Sequence, residues 1–376
     1  MFSQTDTDED NIYLDCLTSN IDSGPNIKSQ FLTFSEMRDV PILQNCSEYN
    51  LAIVRFQLST SNLPIMIFPV QVGQSDINKG TYSITLKYGL FEVQTFVEFI
   101  TPNIGENVQP PLLKQDFSNS YYEIYSYQYF INLLNTAFQT CYTALNVAAG
   151  RLPSAYPPYL SYDVDLGKAT LNAETGYNSD SSQSISIFFN TGLFSLFSSF
   201  DALYYGTSNV TNGKNYKFNV IVSPNNTNIL TFGNAFIPGS TVINYIQCYQ
   251  EYPSLAESSQ AISSIVFTSN LIPIQGSLQS KPILFNALGN VLQQTQNNTA
   301  INMITDITVD SPIFSAYKPS LIYIPQIYRL VPLQGNAVLR SYDISVFYKD
   351  RYGNIKPFNL APSGSSSIKI LFQKKK

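Results

Sequence analysis

Hydrophobic residues recur at every second position along most of this chain. In "SYDISVFYKD", Tyr342, Ile344, Val346 and Tyr348 alternate with Asp343 and Ser345, the period of a half-buried strand. Asp350-Arg351-Tyr352-Gly353-Asn354 follows as a turn, and Pro357 as a stop. "TYSITLKYG" repeats the pattern with Tyr82, Ile84, Leu86 and Tyr88, and "FEVQTFVEF" carries it from Phe91 to Phe99. "NLAIVRFQL" sets Ala52, Val54, Phe56 and Leu58 on one face and Leu51 and Ile53 on the other, so both faces are partly covered. "NYKFNVIV" aligns Tyr216, Phe218, Val220 and Val222. From about Ala261 onward "SSIVFTSNLIPI", "SLIYIPQIYRLVPL" and "SSSIKILFQKKK" read as strands again.

One segment breaks the two-residue rhythm. In "YFINLLNTAFQTCYTALNVAAG", Phe130, Leu133, Leu134, Ala137, Phe138, Cys141, Ala144, Leu145 and Ala148 keep helical spacing, and Gly150 supplies the stop. This predicts one helix packed on a sheet. Beyond it, "YLSYDVDLGKATLNA" reads as a hairpin turning at Gly167-Lys168, and "SISIFFNTGLFSLFSSF" as a strand followed by a short helix or loop. Short strands with Gly, Pro and Asn turns argue for a sandwich. A middle of different texture argues for an insertion between its strands, which a jelly roll accommodates. The expected fold is therefore all-β: a single jelly-roll β-sandwich with a large inserted β-rich lobe containing one helix. A flexible acidic arm is expected over 1–24, the N-terminal half of the jelly roll over 25–80, the lobe over 81–254 and the C-terminal half over 255–376. A double jelly roll is the rival architecture. The central helix and the lack of a second matching strand series count against it.

Composition narrows the function. The chain has 376 residues with 26 Tyr, 25 Phe and no Trp, and only 12% of it is charged, about half the usual share of roughly 25%. AT-rich coding explains some of this but not the scarcity of Lys. A surface poor in charge and rich in Tyr and Asn suits a protein whose faces neighbours cover. The net charge is −5 with no basic domain, so nucleic acid is not expected as the main partner. Cys16, Cys46, Cys141 and Cys248 are far apart and the chain has no His; they read as buried free thiols of a reducing compartment rather than metal ligands. Sequons at Asn45, Asn209, Asn225 and Asn297 follow an N-terminus without signal-peptide features. No apolar run reaches the length of a membrane span.

The search for chemistry finds little. Without His, neither a Ser-His-Asp nor a Cys-His pair can form. There is no phosphate loop and no dinucleotide fingerprint. Asp163 and Asp165 are either a carboxylate pair or the solvent side of a hairpin, and alternation with Val164 and Leu166 favours the hairpin. Asp6, Asp8, Glu9 and Asp10 lack the glycine of a calcium loop and read as a solvated arm. Ser363 to Ser367, "SGSSS", reads as the turn before the last strand rather than an anion nest. Lys374, Lys375 and Lys376 form the one basic run, which stands equally as a solubilising tail or as a weak, salt-sensitive contact with packaged nucleic acid or a neighbour's acidic arm. The chain is not expected to be an enzyme, and no catalytic, cofactor or metal residue is assigned.

Three stretches carry a resemblance. "FLTFSEMRDVPILQNCSEYNLAIVRFQLSTSNLPIMIFPV", the trio "YFINLLNTAF", "YDVDLGKATLNA" and "IFFNTGLFSLF", and the C-terminal "PSLIYIPQIYRLVPLQGNAVLRSYDISVFYKDRYGNIKPFNLAPSGSSSIKILFQKKK" resemble penton-type minor capsid proteins of virophages and polinton-like viruses. The resemblance implies a structural viral capsid protein forming pentamers at the five-fold vertices of an icosahedral shell. It implies a jelly roll in the shell and the lobe pointing outward. Implied partners are the homopentamer and neighbouring major capsid protein hexons. The basic run Lys374, Lys375 and Lys376 allows a weak contact with packaged DNA or the capsid interior, and the inserted lobe could carry a host or giant-virus surface ligand. The implied location is the virion, after assembly in the host cytoplasm. The alternative is a jelly-roll lectin-like or receptor-binding attachment module, with Tyr and Asn loops contacting sugar.

Overall fold

The computed structural model describes residues 10–21, 29–71, 76, 78–101, 121–205, 217–223, 229–232, 243–279, 284–285, 291–293, 299–308 and 320–376. The chain divides into two units: Met1–Leu63 with Ala261–Lys376, and the uninterrupted stretch Pro64–Gln260.

The first unit is a sandwich of two antiparallel sheets. One runs in the order Asn11–Ser19, Ser365–Lys374, Tyr49–Ser59, Ser320–Tyr323, with Val331–Pro332 also paired to Tyr49–Ser59. The other runs Met303–Thr308, Ile262–Thr268, Ser341–Asp350, Ile355–Pro357, with Thr33–Met37 also paired to Ser341–Asp350. The alternation read from the sequence sets the inward faces. Tyr342, Ile344, Val346 and Tyr348 are buried in one sheet, and Phe56, Ile368, Ile370 and Phe372 in the other. Phe56 and Phe267 meet across the gap with ring centroids 5.3 Å apart. Each such ring contributes about 1.5–3 kcal/mol by leaving water.

Two expectations need correction here. Tyr49–Ser59 does not keep one face throughout. Its pairing with Ser365–Lys374 steps from Arg55↔Lys369 to Ile53↔Ile370, so Val54 is the extra residue of a β-bulge. The bulge brings Leu51 and Ile53 inside along with Phe56 and Leu58. The acidic N-terminal arm is also not an arm throughout. Asn11–Ser19 is a full edge strand, paired residue for residue with Ser365–Gln373. Leu14 and Cys16 point into the core on alternate positions, and the acid-rich text before them hides that short alternation. Asp6, Asp8 and Glu9 lie outside the described residues, and Asp10 is exposed.

The second unit holds a five-stranded sheet in the order Ala202–Tyr204, Phe218–Val220, Ser186–Phe189, Lys79–Tyr88, Phe91–Glu98. It also holds a four-stranded sheet, Ile229–Phe232, Ile243–Tyr249, Lys168–Glu174, Tyr159–Asp163. The predicted helix is Tyr127–Ala149. Ser126 caps its start by accepting from the Tyr129 amide, and Gly150 ends it at φ 77°. Its apolar stripe, Phe130, Leu134, Phe138, Cys141 and Leu145, is fully buried. Asn135 interrupts that stripe for a reason: its side chain donates to the Leu160 carbonyl at 2.9 Å and accepts from the Leu160 amide at 2.7 Å. An edge strand thereby gains the partner it would otherwise lack.

The unit boundary falls earlier than the sequence suggests. Residues 64–80 belong with the lobe, because Met66–Pro69 pairs with Tyr121–Ile124 and Lys79–Tyr88 pairs with both Phe91–Glu98 and Ser186–Phe189. At the other crossing, residues 255–260 also belong with the lobe.

Candidate assembly surface

The carboxylates singled out by the sequence are turn caps. Asp163 Oδ1 accepts from the amides of Asp165 and Leu166, both at 2.9 Å, at the tip of the hairpin. Gly167 completes that turn at φ 66°. Asp163 and Asp165 are both exposed. Asp350, read only as part of a turn, performs the same task in the core: Oδ1 accepts from the Tyr352 and Asn354 amides at 2.9 Å, and Oδ2 from the Asn354 side chain at 3.1 Å. The "SGSSS" stretch is a turn entering Ser365–Lys374. There Ser363 takes φ 61° and donates its amide to the Asn20 carbonyl at 2.8 Å. Among the described residues no three His, Cys, Asp or Glu side chains gather as a metal-binding group.

The basic tail is tied to its own unit. Lys374 lies in the last strand with its ammonium 4.0 Å from Glu48. The Lys375 ammonium donates to the carbonyls of Ser47 at 2.5 Å and Leu333 at 3.0 Å. The four cysteines are free and buried. Burial pushes every one of the thiols up, Cys248 to about 12, so they are protonated and unreactive near neutrality.

One polar chain was not visible in the sequence. The Cys16 thiol donates to the Tyr342 hydroxyl at 3.0 Å, which donates to Glu36 Oε2 at 2.9 Å. Arg38 holds the same carboxylate through Nε at 2.8 Å. Arg38 and Tyr342 together draw the Glu36 carboxyl below its usual range, while burial raises the Tyr342 phenol. Cys16, Glu36 and Tyr342, with Asp15 and Phe34, line a concavity of about 270 Å³. The chain stitches Asn11–Ser19 of one sheet to Thr33–Met37 and Ser341–Asp350 of the other. No sequence signal marks it, because its members are joined only by the fold. The chain of bonds works as a latch between the two sheets.

What the surface does carry is exposed apolar side chains at both flanks of the first sheet. A single inter-strand row runs Leu17↔Ser367↔Gln57↔Ile322. Leu17 is 75% exposed at one end and Ile322 59% at the other, while the two central positions are polar. Beyond Ile322 the chain continues with Ile324, Ile327 and Leu330, all exposed. The lobe has its own exposed set in Leu203, Tyr204, Tyr249 and Tyr252. Such groups mark contact surfaces when they cluster. No described helix is long and apolar enough to cross a membrane.

Comparison with known proteins agrees with this picture. The chain is similar to two proteins of the Sputnik virophage. It is 31% identical over 117 residues to the uncharacterized protein V18, covering 29% of this chain and 70% of that protein. It is 27% identical over 221 residues to the structural protein V19, covering 57% and 93%. The fold matches a chain in the cryo-EM structure of the Sputnik virophage with a TM-score of 0.75 at 25% identity, over 98% of both chains. It also matches the crystal structure of the mavirus penton protein with a TM-score of 0.61 at 16% identity, over 98% of this chain and 100% of that one. The model of the Sputnik minor capsid protein V18/19 family matches residues 12–374, and the chain belongs to that family of structural virophage capsid proteins.

Proposed function

We propose that this minor capsid protein forms the pentameric vertex of an icosahedral shell. In this reading Met1–Leu63 with Ala261–Lys376 is the shell-forming jelly roll, and Pro64–Gln260 is the lobe that faces outward. Major capsid protein hexons surround the ring, and assembly takes place in the host cytoplasm. The observation that carries the reading is the first sheet: a closed sandwich whose two flanks both expose apolar side chains, in a chain whose candidate carboxylates are turn caps. A cyclic ring needs two different complementary flanks on each subunit and no chemistry. The contacts of Lys374 and Lys375 within their own unit support a structural role for the tail over contact with packaged DNA.

Light scattering or native mass spectrometry on the purified full chain tests this. A pentamer mass is expected, and a monomer at the highest attainable concentration refutes it. The exposed Tyr204, Tyr249 and Tyr252 of the lobe support a second role, attachment to a glycan on a host or giant-virus surface, since aromatic faces suit sugar rings. Glycan-array binding that disappears when these tyrosines are changed to alanine is the expected result of that role, and an array without hits counts against it.

A further inference from the structure

The sandwich of the first unit is assembled from two stretches of opposite charge. Residues 1–63 carry nine Asp and Glu against three Lys and Arg, a net −6. Residues 261–376 carry eleven Lys and Arg against four Asp and Glu, a net +7. The lobe between them, Pro64–Gln260, carries another −6, spread over three times the length of the first stretch. The balance of −5 for the whole chain hides this sorting.

The strand pairing gives the sorting a consequence. Asn11–Ser19 and Tyr49–Ser59 both pair with Ser365–Lys374, Gln30–Phe31 pairs with Asn359–Leu360, and Thr33–Met37 pairs with Ser341–Asp350. Every described strand of residues 1–63 therefore takes its ladder from residues 261–376, and none of them pairs with another of its own stretch. The earlier stretch can form no part of these sheets until the later one reaches it. Their meeting is an association reaction within one chain. Native contacts keep the same polarity across the join. Lys369 stands 3.5 Å from Asp15, and Lys374 4.0 Å from Glu48. Arg340 donates to the Asp39 carbonyl at 2.7 Å, and Tyr342 to Glu36 at 2.9 Å.

We infer that the charge sorting is a folding device: opposite net charges draw residues 1–63 onto residues 261–376 before any ladder joins them. Attraction between net charges acts at a range where hydrogen bonds and apolar contacts do not, and it speeds encounter more than it holds the product together. The alternating apolar positions then set the register. Net charges of −6 and +7 about 20 Å apart, in water and screened as at 0.1 M salt, favour approach by roughly tenfold, and 1 M salt removes the gain. The inference stands apart from the pentamer reading, since it concerns a single chain.

Refolding of the full-length chain from urea, followed by pulsed hydrogen exchange and mass spectrometry, tests it. Peptides covering Ser341–Asp350 report the sandwich, and peptides covering Tyr127–Ala149 report the lobe. Protection of the sandwich strand is expected to slow about tenfold between 0.1 and 1 M NaCl, while protection of the helix does not slow and the unfolding rate changes less than twofold. The triple variant Asp6→Asn, Asp8→Asn, Glu9→Gln halves the charge of the first stretch and is expected to cut the slowing to about threefold. A sandwich rate that ignores salt overturns the inference. So does equal slowing of strand and helix, which would be a general effect of salt on this chain. Full tenfold slowing in the triple variant would overturn it too, by removing the first stretch as the source of the attraction.

Discussion

Asp350 and Asp163 make the same turn bonds in opposite surroundings, and that contrast yields a quantitative expectation. Both accept two backbone amides at 2.9 Å through one carboxylate oxygen. Asp163 is exposed, so water can replace its carboxylate. Asp350 is 1% exposed and also accepts from the Asn354 side chain. Asp350→Ala leaves those donors facing a cavity. At about 1–3 kcal/mol for each buried group left without its partner, and with partial relief because the neighbouring turn residues are half exposed, the loss is about 3 kcal/mol. For a unit of this size that lowers the melting temperature by roughly 6–12 °C. Asp350→Asn keeps an acceptor oxygen and should lose about 1 kcal/mol. Asp163→Ala should stay within about 0.5 kcal/mol, the range of an ordinary surface change. Scanning calorimetry of the full chain reads all three. Equal melting shifts for Asp350→Ala and Asp163→Ala would refute the claim that burial, not bond geometry, sets the worth of these caps.

Other expectations follow from the ionisable groups and the tail. Burial raises Cys248 from 9.0 to about 12 and Tyr245 from 10.0 to about 12. The unfolded chain therefore loses these protons first. Their stabilisation is complete below about pH 9 and falls as pH rises toward 12, by up to about 4 kcal/mol for the thiol. Urea midpoints that drop between pH 8.5 and 11, with a shallower drop in Cys248→Val, would show this, and a flat profile would not. With no His in the chain, and with Glu36 drawn below its usual range, rings titrated from pH 7.5 to 5.5 are expected to stay assembled. Dissociation in that window, followed by sedimentation, contradicts the reasoning. Lys375→Ala removes two donors to carbonyls, so about 0–1 kcal/mol of stability should be lost. DNA retention on a filter should not change, and a large drop in retention would restore the tail as a nucleic-acid contact.

Much of the fold was legible because it follows local periods. The alternation of Tyr342 through Tyr348, the 3.6-residue stripe from Phe130 to Leu145 and the turn at Gly353 need only their own neighbours in sequence. The misreadings came where a long-range partner decides. Val54 departs from its strand's face because Ser365–Lys374 imposes a bulge on it. Asn11–Ser19 is a strand because the last strand of the chain, more than 340 residues away, offers it a ladder. The Cys16–Tyr342–Glu36–Arg38 latch was hidden for the same reason, since its members come from three separate segments. The flanking patches were partly legible. Low charge pointed to covered faces, but the row joining Leu17 to Ile322 exists only once four strands are in register.

The interrupted chain of the first unit raises a folding question that the lobe answers. Its sandwich needs residues 11–59 and 262–374 side by side, yet nearly two hundred residues intervene. If those residues stayed open, closing the loop would carry the entropy of a very long connection. The lobe removes that cost by bringing its own ends together: Met66 and Gln260 form an antiparallel bridge, and the Tyr127 hydroxyl bonds Ser259 at 3.2 Å. Its helix and two sheets supply a separate core. Pro64–Gln260 produced alone is therefore expected to unfold in a single cooperative transition and to remain monomeric, since both proposed ring surfaces lie outside it. Near-ultraviolet circular dichroism and sedimentation of that fragment decide the matter. A fragment with helix signal but no fixed aromatic environment would mean that the lobe depends on the jelly roll for its structure. A fragment that folds and forms pentamers would move the ring contact from the sandwich to the lobe.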